Sequence, residues 1–168
     1  MTDNSNKGKR EIPVALHESE NCCDVLRFIH DKLPLMMIAV DRQYRIRDLN
    51  KMALEYAAGY EGPVIGELVG NVFRCLESFK TEKGCGFSPA CRNCNYRHLV
   101  SITIDNESSY GPLETVMQKY AEDGASFPIP VQIQSSMIVI NDEKLAMVVL
   151  WDITHQKETE YRLRQSEE

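Results

Sequence analysis

Four cysteines fall within twenty residues, Cys75, Cys85, Cys91 and Cys94, and no other stretch of the chain concentrates chemistry in this way. Their gaps of nine, five and two residues fit an irregular loop wrapped around a common centre. Gly84 and Gly86 bracket Cys85; glycine lets the backbone come close to a bulky group or take a positive φ. Ser88-Pro89-Ala90-Cys91 reads as a helix start, with Ser88 as N-cap and Pro89 at the first helical position. The pattern predicts a helix from Pro89 to about Ile104, with Cys91 and Cys94 at i and i+3 on one face. Free amides and the positive end of the helix dipole would there favour thiolate over thiol.

Charge points the same way. Between Arg74 and His98 there are five basic residues (Arg74, Lys80, Lys83, Arg92, Arg97) against two acidic ones (Glu77, Glu82), a net +3 in a 168-residue chain of net −6. A local positive field offsets the negative charge that four thiolates leave around a metal or an oxidised iron–sulfur core.

The start of the chain, Met-Thr-Asp-Asn-Ser-Asn-Lys-Gly-Lys-Arg, is polar and does not read as a secretory leader. No run approaches eighteen apolar residues, so no membrane helix is expected. The expectation is a cytoplasmic protein, where grouped cysteines read as metal-binding or redox-active and not as disulfides. Three readings stay open on spacing alone: an iron–sulfur cluster, a structural zinc, and a metal-free redox switch closing Cys91–Cys94. Structural zinc more often uses two Cys-x-x-Cys knuckles, and only one is present.

Cys22 and Cys23 differ. Cys22, Leu26, Ile29 and Leu33 are spaced four, three and four, one apolar stripe on a helix, widened by Val25 and Phe28. Both cysteines read as small hydrophobes, and His30 falls on the polar side. The heptad-like stripe suits pairing with a second copy, a homodimer, or packing over the chain's own sheet.

Composition bounds the class. An apolar fraction of 43% with 26% charged residues is ordinary for a globular domain. The acidic balance argues against nucleic-acid binding. Residues 1–19 are polar and aperiodic and predict a mobile tail. A helix is expected at 20–33, then strands at Leu35–Asp41 and Tyr44–Leu49, with Asn50 capping a helix from Lys51 to Ala58. After the cysteine loop and its helix, three strands are expected at about Leu113–Tyr120, Ala125–Ile140 and Lys144–Ile153, with turns at 122–124 and Asn141-Asp142. Strand pair, helices, three strands make an α+β domain with an antiparallel sheet and helices on one face.

At its two ends this domain resembles the PAS sensory family. Leu33-Pro-Leu-Met-Met-Ile-Ala-Val-Asp-Arg-Gln-Tyr-Arg-Ile-Arg-Asp-Leu-Asn50 is similar to that family's opening hairpin. Gly59-Tyr60 and Glu67-Leu-Val-Gly70 resemble the following turn, and Val148-Val-Leu-Trp-Asp-Ile-Thr154 resembles its closing strand. The resemblance covers about residues 20–168 and implies a five-stranded sheet within a sensor domain at 34–154. The four-cysteine block departs from the generic pattern and resembles a subset found in bacterial sensor kinases, in which an iron–sulfur cluster is suspected. It implies a non-enzymatic sensor that relays redox or gas state to a sensor kinase or other signalling partner. No haem ligand is assured, and His98 reads as a surface residue.

His155 to Glu168 predicts a charged linker helix with i,i+4 pairs Glu158–Arg162 and Glu160–Arg164. No phosphate loop, kinase motif, nucleophile elbow or metallohydrolase His pair is present, so no catalytic residue is expected.

Overall fold

The computed structural model describes residues 22–57, 59–121 and 123–167, so the expected tail at 1–19 lies outside the described residues. Helix α1 (Cys22–Lys32) precedes strands β1 (Met36–Val40) and β2 (Ile46–Leu49). Helices α2 (Lys51–Tyr56) and α3 (Val69–Val72) follow, then the cysteine loop. Helix α4 (Asn95–Asp105), strands β3 (Tyr110–Tyr120), β4 (Ser126–Ile140) and β5 (Glu143–Asp152), and helix α5 (Thr154–Glu167) complete the chain. The five strands form one sheet in the order β2-β1-β5-β4-β3, every neighbouring pair antiparallel.

Alternation makes the sheet one-sided. Ile38, Val40, Val131, Ile133, Ala146 and Val148 sit on the buried face with Ala53 of α2 and Leu99, Val100 and Ile104 of α4. β5 stands between β1 and β4, which accounts for its apolar run. The β4–β5 hairpin turns through Asn141 (φ 51°) and Asp142 (φ 61°). Both lie in the left-handed region that a two-residue hairpin turn requires and that Asn and Asp tolerate.

Asn50 is the tie between the first elements. Its side chain is wholly buried. Oδ1 accepts from the amides of Met37 and Ala53, both at 3.0 Å. Nδ2 donates to the carbonyls of His30 (2.9 Å) and Leu35 (2.8 Å). One amide thus caps α2, holds β1 and anchors the last turn of α1.

Two expectations need correction. The helix expected from Pro89 to Ile104 is two pieces: a 3-10 turn, Pro89–Asn93, and α4, separated by Cys94 in an extended conformation (ψ 113°). Asn93 and Asn95 flank the break, and asparagine favours helix ends over interiors. Cys91 and Cys94 therefore do not share one helical face. In α5, Glu160 turns to Lys157 (3.4 Å), which also pairs with Glu114 on β3 (2.7 Å). Neither Glu158–Arg162 nor Glu160–Arg164 closes as an ion pair among the described residues. The side chains of Cys22 and Cys23 lie outside the described residues; of the rest of their stripe, Val25 is half-buried and the others are open. Leu26 is 58% exposed, Phe28 62% and Ile29 44%. α1 leans on α2 and leaves Leu26, Phe28, Ile29 and Leu33 uncovered.

Replacing Asn50 with Ala leaves two carbonyls and two amides without their partner, each a desolvated group. The expected loss of stability is about 3 kcal/mol, read as a lower urea midpoint with unchanged slope. Hydrogen exchange should rise first in α1, whose last turn the amide anchors.

Candidate metal centre

Each cysteine of the block is delivered by a different local device. Arg74 adopts a left-handed φ of 54°, and after it Cys75 donates its amide to the Gly70 carbonyl (2.8 Å) and bridges to Lys119 at the edge of β3. Cys85 sits between Gly84 (φ +79°) and Gly86 (φ +96°), conformations that glycine adopts without strain. Its amide donates to Asn71 Oδ1 (2.8 Å), and Asn71 is held in turn by Glu67 (2.9 Å). Ser88 caps the 3-10 turn that carries Cys91, its hydroxyl accepting from the Ala90 amide (3.3 Å) while it donates to Glu77. Cys94 is the N-cap of α4, its carbonyl accepting from the His98 amide (3.0 Å). His98 itself is exposed.

These devices converge. Cys75, Cys85, Cys91 and Cys94 all line one cavity of about 310 Å³ between the loop and the buried face of the sheet. All four are free, half-buried thiols. Gly70 completes the cradle: a Cβ there would stand 2.5 Å from Cys85 Sγ and 3.4 Å from Cys75 Cβ. The cavity runs inward to Met36, Ile38, Phe73, Val131 and Ile133. Two tyrosines on its wall, Tyr56 and Tyr96, bury hydroxyls with no hydrogen-bond partner among the described residues. Among the described residues no three Cys, His, Asp or Glu side chains stand close enough together to grip a single ion. Four soft donors around a shared cavity, a glycine that keeps them clear of a Cβ and orphaned hydroxyls at the wall fit a thiolate-held group of several atoms.

The electrostatics are basic on one side. The Arg97 guanidinium lies 3.7 Å from the Tyr44 ring centroid and presses on Gly86, where a Cβ would meet it at 2.6 Å. Arg74 reaches the carbonyls of Tyr120 (3.0 Å) and Gly59 (3.3 Å). Lys119 donates to the Tyr56 carbonyl (3.1 Å) and sits over the Tyr56 ring. Burial, and then the charge of Arg74, pull the Lys119 pKa down. None of the three cations forms an ion pair among the described residues; the loop's Lys80 does, with Glu77. Half-buried cations without carboxylates favour negative charge beside them.

The block's charge, Gly84–Cys85–Gly86 and the Glu67-Leu-Val-Gly70 element are readable from the sequence; the roles of Asn71 and Tyr96 are not. Asn71 directly follows the Glu67-Leu-Val-Gly70 element, and that adjacency was the available signal.

Burial, foremost, pushes the Cys85 thiol from the usual 9.0 up to about 11, and pushes Cys75 up as well. Unfolded thiols lose their protons near the usual value, whereas Cys85 in the folded chain does not. The stabilisation is therefore complete below pH 9 and is lost as pH rises toward 11. Thermal melts of the metal-free protein from pH 7 to 11 should show a falling Tm across that window, and Cys85→Ser should flatten it.

No family model matches the sequence, and no curated protein matches it. Solved structures do match in shape. The PAS domain of Bordetella pertussis BvgS is 12% identical, covers 88% of this chain and 98% of its own, and superposes with a TM-score of 0.54. A PAS domain from Colwellia psychrerythraea is 14% identical over 79% of this chain and 98% of its own, with a TM-score of 0.52. The PAS domain of an HTR-like protein from Haloarcula marismortui is 12% identical over 80% of this chain and all of its own, with a TM-score of 0.51. The five-stranded antiparallel sheet with its helices is the PAS fold.

Proposed function

We propose that this chain is a non-enzymatic sensor in which Cys75, Cys85, Cys91 and Cys94 hold an iron–sulfur cluster. Its terminal helices would relay the redox or gas state of that cluster to a sensor kinase or another signalling partner. The observation that carries the reading is the convergence of the four thiols on one cavity. Four donors spread around such a space suit a cluster better than a single zinc ion. A bound cluster supplies a one-electron couple, and everything else is the work of this chain's residues. Arg97, Arg74 and Lys119 offset the thiolate charge.

The relay rests on contacts at the loop's edges. Cys94 caps α4, whose Leu99, Val100 and Ile104 pack into the core. Cys85 abuts Gly70 on α3, and the Val69 amide of that helix donates to Tyr44 (3.3 Å) between β1 and β2. That hairpin leads to Asn50 and so to α1; β3, bridged to Cys75, carries Glu114, which pairs with α5. A change of cluster state would thus bias the seating of both terminal helices. No described helix is long and apolar enough to cross a membrane, and the proposed setting is the cytoplasm.

Protein reconstituted anaerobically with iron and sulfide should be brown, with visible absorption. Single Cys→Ser changes at positions 75, 85, 91 or 94 should abolish iron retention, whereas changes at 22 or 23 should spare it. A colourless protein with stoichiometric zinc, or full iron retention by Cys85→Ser, sinks the proposal.

The open stripe on α1 supports the homodimer. Leu26, Ile29 and Leu33, spaced three and four, expose apolar surface at heptad-like spacing, which a second copy would cover. Light scattering should give a dimer for the native chain and a monomer, still able to hold iron, for the Leu26→Asp, Ile29→Asp double variant.

A further inference from the structure

We propose that Asn71 is a positioning residue that presets Cys85: by holding the Cys85 amide it keeps this one thiol at the cavity before any metal arrives. The inference rests on the iron–sulfur reading above for what Cys85 is positioned to hold. Asn71 Oδ1 accepts from the Cys85 amide at 2.8 Å, and its Nδ2 donates to Glu67 Oε1 at 2.9 Å. The same carboxylate oxygen accepts from the Leu68 amide at 2.7 Å. A carboxylate is a strong acceptor, so Glu67 fixes which way the Asn71 amide points and leaves its oxygen for Cys85. Gly84 makes room for it: a Cβ there would stand 2.6 Å from Asn71 Oδ1.

The other three cysteines are tied differently. The Cys75 amide donates to the Gly70 carbonyl, and those of Cys91 and Cys94 close local turns on the carbonyls of Ser88 and Cys91. Among the described residues, Cys85 is the one member of the set whose amide is held by a side chain, and that side chain is 14 residues away. Between Cys75 and Ser88 no strand or α-helix carries the chain. Asn71, by contrast, stands on the scaffold. Its helix α3 buries Val69, Gly70 and Val72, and the Glu67 carbonyl accepts from the Ile46 amide at 2.9 Å, at the start of β2. The latch therefore lends the rigidity of the sheet to the middle of the loop. A ligand held in place beforehand gives up less conformational freedom when a group is seated. Residues that orient a ligand from behind set the affinity of the site in the same way.

The experiment uses the full chain as native, Asn71→Ala, Glu67→Ala and Glu67→Gln. The metal-free proteins are treated with iodoacetamide, and the alkylation rate of each cysteine is read by peptide mass spectrometry. Asn71→Ala should speed alkylation of Cys85 several-fold and leave Cys75, Cys91 and Cys94 at their native rates. Glu67→Ala, which frees the Asn71 amide to turn, should act on Cys85 in the same direction. Glu67→Gln, whose side-chain oxygen still accepts from Asn71, should keep the native rate. The Glu67 pair carries the comparison where Asn71→Ala does not fold. After anaerobic loading with iron and sulfide, Asn71→Ala should lose iron to a chelator about tenfold faster than the native chain. A general weakening of the fold would speed all four cysteines together, and that result overturns the inference. An unchanged Cys85 rate in Asn71→Ala and Glu67→Ala overturns it as well. So does native iron retention by an Asn71→Ala chain whose Cys85 has become reactive, because the latch would then not serve the centre. A native chain that takes up no iron overturns the iron–sulfur reading, and the alkylation rates still decide whether Asn71 presets Cys85.

Discussion

One buried amide sets the first third of the fold. Asn50 has no exposed surface, yet it offers two donors and one acceptor oxygen and satisfies all of them within the chain. Burying an amide is tolerable only when its hydrogen bonds are made. Those bonds reach the strand before it, the helix after it and the carbonyl of His30 at the end of α1. The position of α1 over α2 therefore follows from a polar residue, while Leu26, Phe28 and Ile29 of α1 stay uncovered. That inverts the usual order, in which an amphipathic helix is fixed by its apolar face.

The scaffold was legible because its signals are local and agree with one another. Val-Ile alternation in β4, the apolar run of β5, the Asn141-Asp142 turn and the Asn50 cap each require one conformation, and all lead to the same sheet. The cysteine block was legible in its chemistry but not in its path. Pro89 to Ile104 has the composition of one helix, yet the chain breaks at the extended Cys94, between Asn93 and Asn95, into the 3-10 turn and α4. The stripe on α1 was legible as apolar, but periodicity gives a face and not its partner. Tyr56 and Tyr96 look in the sequence like ordinary helical aromatics; that their buried hydroxyls find no partner among the described residues belongs to tertiary structure.

The charges around the cavity illustrate how much depends on what a side chain lacks. Lys80 is neutralised by Glu77, so the raw count of basic residues overstates the field. Arg74 and Arg97 are held by carbonyls, aromatic faces and a glycine. Such contacts orient a guanidinium without cancelling its charge. Of these cations, Arg97 bears directly on a thiol, favouring the charged form of Cys85 against its burial.

The segment from Arg74 to Cys94 hangs between two fixed posts. At one end Cys75 is bonded back to Gly70 and bridged to β3; at the other Cys94 caps α4. None of the five strands passes through it, and its aromatics Phe79 and Phe87 remain about half exposed. Strand register is therefore settled without it, and the segment behaves as an interchangeable cartridge. Loops of other length and composition could be slung between the same posts, because loop length and surface sequence vary at little cost to the sheet they join.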